Sequence, residues 1–397
     1  MEKTQLGLGD QPTLTLGIAA LLYAFSIVLI DIAPFFIGIY VDYLNLSLSQ
    51  AGFVLTIDQA GGVLGAIVGF FLMPRIAWRK LIIVASIIAT MANFVTAMVD
   101  SYMMLLVVRF VSGFGVVLIT TVSACILARS LMPDRVFGIG LALAMTFSAV
   151  AVWVFDWLRV DYGYAASLGS GAIWLGAGIL LAFLLPRSIG DPTESYDISG
   201  GGARASGSQV VGLAALIALG LFGISVNVIY GFVERIGLAN GLDNSGVASA
   251  LALGYVFSAF GSLIPTIFGA VGGRMKWIVL TTVVFFVSLC GLYSANTIAL
   301  YTMAFAVYAS AWNMGLAYYM SLTAENDPEQ KFTRAMYIVN VAAQSVGPAI
   351  AAAVLAGAPL SIIFVIAPLP AMIAVALVLV FVSRSKKSMH ANSLSTD

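Results

Sequence analysis

Charge is what this sequence has least of. Charged side chains make up 9% of its 397 residues and hydrophobic ones 61%, whereas an ordinary soluble domain is roughly 25% charged. No soluble fold of this length hides so much apolar surface, so the composition describes a polytopic membrane protein. The 18 basic and 18 acidic residues cancel, which leaves nothing to attract nucleic acid. The single histidine, His390, sits in a polar tail, excluding a histidine metal site or proton relay inside the membrane. The two cysteines, Cys125 and Cys290, fall within apolar segments, where small core residues are expected and a disulfide is not. There is no phosphate loop, no nucleophile–base–orienter set and no metal-ligand cluster. An ATP-driven pump, an enzyme and a cofactor are therefore not expected.

Long hydrophobic runs are abundant. They recur at about 14–41, 50–72, 80–99, 102–127, 136–157 and 165–185, then at 210–233, 246–271, 277–295, 298–322, 335–356 and 361–382. Each is long enough for a transmembrane helix, about twelve in all. The runs are continuous rather than alternating, which excludes barrel strands. The first lacks a small-residue cleavage pattern and is expected to stay as a span. Gly, Ser and Pro dominate 187–209, the composition of a flexible linker, and it divides the helices six and six. The expected parts are thus a bundle over 1–186, a cytoplasmic linker over 187–209, a second bundle over 210–383 and a tail over 384–397. With the N-terminus inside, fifteen of the 18 basic residues fall on the inner side and Arg159 and Arg235 on the outer. Both termini are therefore expected in the cytoplasm of a plasma (inner) membrane protein. A shift of about 196 residues pairs Ser49 with Ser245, Gly65 with Gly261 and Lys80 with Lys276, and sets Asn227 opposite Asp31. Such repeated bundles are a transporter architecture, with the substrate site between the halves.

Three ionisable groups interrupt the apolar runs. Arginine cannot shed its charge, so Arg109 must meet a carboxylate, a watery cavity or an anionic ligand. Counted at 1.5 Å per residue from the outer helix ends, Asp58 and Arg109 lie roughly 12 Å deep and Asp31 roughly 15 Å. We expect an Asp31–Arg109 pair with Asp58 nearby, a cluster able to hold or release a proton as the cavity hydrates. The alternative is a permanent buried pair that fixes helix packing. Gly61, Gly62, Gly65 and Gly69 mark the helix of Asp58 for close packing on a neighbour. Glu234 is placed near the outer mouth, as a gate contact or a solvated ion. The substrate-contact candidates are Arg109, as an anchor for an anion, with Asn227, Tyr230, Tyr255, Trp312, Asn313, Asn340 and Gln344. Asn340 and Gln344, four apart, share a helical face. Asp156, Arg159 and Asp161 read as a solvated rim, and Arg384 to Lys387 as a basic stop at the inner lipid surface.

The loop after the second helix, with Gly69, Arg75, Arg79 and Lys80, and the fourth helix, with Arg109, Gly113 and Gly115, carry patterns found in one family. The chain resembles the major facilitator superfamily over nearly its whole length. Pro74 and Ala77 depart from the loop pattern where an aspartate and a glycine stand. The fifth helix lacks the Gly-Pro of drug–proton antiporters, and Gly347-Pro348 lies elsewhere. The resemblance implies an all-α fold of two pseudo-symmetric six-helix bundles. It also implies alternating access, a cavity lined by helices one, four, seven and ten, and gating residues at Arg75 and Arg79. The function expected is proton-coupled transport of a small amphipathic organic solute, an organic acid among the candidates, by a monomer whose partners are substrate, protons and lipid. The alternatives are a proton-antiporting exporter of lipophilic or cationic compounds and, with tails of only about a dozen residues against it, a sensor on a transporter fold.

Overall fold

The computed structural model describes residues 13–73, 75–128, 133–186, 209–268, 271–327 and 331–394. Among them every regular element is helical. The chain divides into two compact units, Met1–Gly201 and Gly202–Asp397. The expected linker, apart from Gln209, lies outside the described residues.

The first unit contains α1 (Thr13–Asp31), α2 (Ala33–Tyr43), α3 (Leu48–Leu72), α4 (Trp78–Thr96), α5 (Tyr102–Ala128), α6 (Pro133–Tyr162) and α7 (Tyr164–Leu184). The second contains α8 (Gln209–Tyr230), α9 (Val233–Ala239), α10 (Asn244–Phe268), α11 (Arg274–Ser294) and α12 (Ile298–Glu325). It continues with α13 (Lys331–Leu355), a 3-10 turn at Leu360–Ile362, α14 (Ile363–Ile366) and α15 (Pro368–Leu394). Eleven of the described helices are long and apolar enough to cross a membrane. To these α12 adds 28 residues whose apolar run is diluted by Tyr, Trp and Asn side chains.

Three expected spans are broken, each for a local reason. The first divides at Ile32 because Pro34, second in α2, has no N–H and its ring crowds the carbonyl four residues back. The seventh divides at Gly231 and Phe232, and α9 resumes the helix at Val233. The last begins as a short turn and α14 before Pro368 opens α15, which then continues through the expected tail as far as Leu394. No Gly or Pro interrupts that tail. The start of α3 is set by a reciprocal cap. Ser47 Oγ accepts from Gln50 N at 3.1 Å, and Gln50 Oε1 accepts from Ser47 N at 2.9 Å.

Within each unit the helices pair in the same order. α3 and α4 pack on α5, α1 on α6, and α4 on α7; likewise α10 and α11 pack on α12, α8 on α13, and α11 on α15. Large apolar side chains such as Phe70, Met91, Ile173 and Leu180 remain exposed on the bundle surface. That is the surface of a protein solvated by lipid. Cys290 belongs to it, and only Cys125 is partly buried, so the expectation of two core thiols is corrected for Cys290.

Candidate functional site

The glycines of α3 determine how the first unit's charges meet. A Cβ on Gly61 or Gly65 would overlap the backbone carbonyl of Phe110 or Phe114 on α5, and one on Gly113 would overlap that of Asp58. Bare backbone on both sides lets the two helices touch. This contact brings Asp58 Oδ2 within 2.8 Å of Arg109 Nη2, with both side chains at most about one-tenth exposed. Arg109 Nη1 donates to Asn93 Oδ1 at 3.0 Å, and Asn93 Nδ2 donates in turn to Ser112 Oγ at 2.9 Å. The guanidinium also lies over the Phe36 ring, 5.5 Å from its centroid. A small recess beside the pair is lined by Leu29, Ile30, Asp58, Gln59, Arg109, Gly113, Val116 and Val117, with room for about one water molecule.

The expected Asp31–Arg109 pair is corrected: the arginine's carboxylate partner is Asp58. Asp31, the last residue of α1, accepts instead from Ser148 Oγ on α6 at 2.8 Å. Similar depth along the membrane normal did not imply adjacency, because α1 presents Asp31 toward α6. The rim reading is corrected as well. Asp156 and Arg159 form a buried ion pair, with the Arg159 guanidinium 4.9 Å above the Phe35 ring, and only Asp161 is exposed. Spacing of three on one helix, together with an aromatic lid, buries charges that a linear reading left in water.

Glu234 is buried, not a solvated ion at a mouth. It pairs with Arg235 Nε at 3.3 Å in α9, one residue from the Val233 carbonyl that accepts from the Tyr301 hydroxyl. Arg75 is exposed and reaches the Phe71 carbonyl at 3.4 Å, and Arg79 lies 5.7 Å from the centroid of the Phe183 ring. Neither makes an ion pair among the described residues. Pro74, the departure in that loop, lies outside them.

Between α8, α10 and α12 the second unit holds rings and an amide rather than an ion pair. Tyr230 on α8 and Tyr255 on α10 share a hydrogen bond between hydroxyls at 3.0 Å, and the Tyr230 ring meets Trp312 of α12 edge-on at 4.9 Å. Tyr255 packs edge-on against Phe305, and Asn313 Nδ2 reaches the Ser258 carbonyl at 3.5 Å. Trp312 Nε1 is buried without a hydrogen-bond acceptor among the described residues. Three of the sequence candidates thus touch, and the fourth, Asn313, reaches α10 one turn along from Tyr255. Asn227 does something else: its amide donates to the Gly223 carbonyl of its own helix, and its Cβ sits where Gly347 of α13 leaves room. Asn340 and Gln344 are half-buried on α13, with no polar partner among the described residues.

Sequence reasoning missed Asn93, Phe36, Tyr40 and Ser148. Asn93 carries a signal, an amide inside an apolar helix. The two aromatic residues and the serine carried none, since their types are ordinary in such segments.

The family model described as Major Facilitator Superfamily matches residues 16–352. A stretch of 117 residues is 26% identical to the arabinose-proton symporter of Bacillus subtilis (strain 168), covering 30% of this chain and 25% of that protein. Among solved structures, a mutant of the nucleoside transporter NupG superposes with a TM-score of 0.74 at 12% identity, over 94% of this chain and 99% of that one. A bacterial homologue of the human lysosomal transporter Spinster, inward-facing and occupied, gives 0.67 at 14%, over 95% and 98%. At those identities the two structures speak to the fold alone.

Proposed function

The chain belongs to the major facilitator superfamily, and from that premise we propose that it is a proton-coupled carrier of small, uncharged polar organic solutes. The observation that carries this reading is the buried Asp58–Arg109 pair. A carboxylate held by a fixed cation inside an apolar bundle is costly to keep and marks function more often than scaffolding. Adding a proton to Asp58 cancels one charge and frees the other, which changes the energy of the packed α3–α5 contact. Asp31, at the end of α1, is a second site where a proton can be held.

The same pair argues about the substrate. Arg109 already has a carboxylate and an amide oxygen as partners, and the recess beside the pair is too small for an organic anion. An organic acid therefore loses its anchor, and a neutral solute is favoured. The ring-and-amide cluster of Tyr230, Tyr255, Trp312 and Asn313 suits such a solute, with stacking faces and donors but no charge. The relative named for arabinose and the proton fits this direction. Asn340, Gln344 and Asn227 are secondary candidates for contact, Glu234, Arg75 and Arg79 for gating. The distribution of basic residues supports cytoplasmic termini in a plasma membrane.

The test is a thermal-shift screen of the purified protein against sugars, nucleosides, amino acids, organic acids and lipophilic cations, since a bound ligand raises apparent stability. Hits then go to proteoliposomes under an imposed pH gradient. A sugar or nucleoside hit that accumulates with inward proton flow, and fails to do so after Asp58→Asn, supports the reading. Undiminished proton-driven accumulation in both Asp58→Asn and Asp31→Asn overturns it, and outward movement against inward protons makes the protein an exporter.

A further inference from the structure

Two buried polar atoms near the Asp58–Arg109 pair have no side-chain hydrogen-bond partner among the described residues. One is Asp58 Oδ1, whose neighbouring donor is the Gly113 backbone against which it packs; the other is the Tyr40 hydroxyl. Tyr40 is 2% exposed and lies on α2, one turn beyond Phe36, and the two rings stack at 6.5 Å. Phe36 is the ring beneath the Arg109 guanidinium. One face of α2 therefore presents to Arg109 an aromatic ring in contact and, a turn away, a second ring stacked on the first, whose hydroxyl is buried. Buried hydroxyls nearly always have partners, so the Tyr40 hydroxyl beside this pair calls for an explanation.

We infer that Tyr40 is a positioning residue for the Asp58–Arg109 pair: its hydroxyl oxygen is the acceptor to which Arg109 turns when Asp58 takes up a proton, so that loading Asp58 pulls on α2. The inference rests on the proton-coupled reading. A proton arriving from the small recess bonds to Oδ1, the oxygen that Arg109 does not hold, and Asp58 becomes neutral. The Nη2–H bond to Oδ2 then loses the acceptor's negative charge and weakens. The Tyr40 oxygen has a free lone pair and keeps its own proton, so only one proton is gained and no covalent bond breaks. α2 is able to respond as a unit because the break at Ile32 and Pro34 separates it from α1. The charged and titratable groups facing Asp58 are Arg109 from α5 and Tyr40 from α2. Asp42 and Tyr43, at the end of α2, are exposed.

The experiment needs no transported substrate. An infrared pH titration of the purified protein in nanodiscs follows the C=O stretch of buried carboxylic acids, and the component lost in Asp58→Asn belongs to Asp58. Tyr40→Phe keeps the ring and its packing. It is expected to move the midpoint of that component about one pH unit toward acid, a tenfold loss of proton affinity, because the protonated state loses its compensating acceptor. A Tyr40→Phe titration identical to wild type, with the Asp58 component present, overturns the inference and leaves the coupling reading standing. An Asp58→Asn protein that loses no component removes the coupling reading itself. Motion of α2 is read separately, by labelling Tyr43→Cys with a maleimide in a background with Cys125 and Cys290 replaced by alanine. The labelling rate is expected to change severalfold across the Asp58 titration and to stay flat after Asp58→Asn; a flat rate with Asp58 intact rejects the pull on α2.

Discussion

The two halves solve one packing problem with different chemistry. In the first, α3 touches α5 through Gly61, Gly65 and Gly113, and the contact carries Asp58 and Arg109. In the second, α10 touches α12, and the residues 196 places further on are Gly254 and Phe305. A Cβ on Gly254 would run into the Phe305 ring, and one on Gly261, the counterpart of Gly65, would run into Ser310. The glycine contact is common to both, while its filling is an ion pair on one side and an aromatic side chain on the other. The segments resuming after the broken first helices match too: α2 sets Phe36 against Arg109, and α9 offers the Val233 carbonyl to Tyr301. The two units share their backbone contacts and differ at the equivalent helix crossing, an ion pair in the first and a ring against glycine in the second.

The largest effects should come from breaking the charged contact. Arg109→Met leaves the Asp58 carboxylate buried alone and should cost about 3–5 kcal/mol. It should appear as a large drop in thermal unfolding temperature in detergent, and stability equal to wild type would mean the pair is solvated. Next comes the glycine contact. Gly113→Ala drives a methyl into the Asp58 backbone and should cost about 1–3 kcal/mol, with no side-chain change able to relieve it. Gly254→Ala meets only the ring of Phe305, so Phe305→Leu should restore its melting temperature; failure of that rescue would show that the two contacts are not comparable.

Smaller effects test recognition. Tyr255→Phe removes the bond to Tyr230 and should cost about 0.5–1.5 kcal/mol. In transport it should raise KM while the pH profile keeps its shape, and a shifted profile would spread coupling into the second half. The smallest change belongs to the exposed Arg274–Glu325 pair. Arg274→Gln should shift stability by about 0–1 kcal/mol, with transport unchanged.

How far the residues could be read in advance differs between fold and site. The spans follow from hydropathy, whereas the break at Pro34 was not expected within the run 14–41, because apolar length alone does not register a missing N–H. The gathering of Tyr230, Tyr255, Trp312 and Asn313 was foreseen as candidates but not as a cluster. Asn93 was visible as a buried amide and overlooked. Asp156 and Arg159 were misread because their burial depends on Phe35, more than a hundred residues away.

By itself, the sequence determined that the chain is a bundle of apolar helices in two repeats, that few charges lie inside it, and that one helix is smooth enough to be approached closely. Those are properties of local composition and helical period. Only the tertiary structure decided that Arg109 meets Asp58 while Asp31 meets Ser148. Counting residues along a helix gives height, whereas partnership depends on azimuth, and azimuth is set by which bare glycine face finds another backbone to lie against.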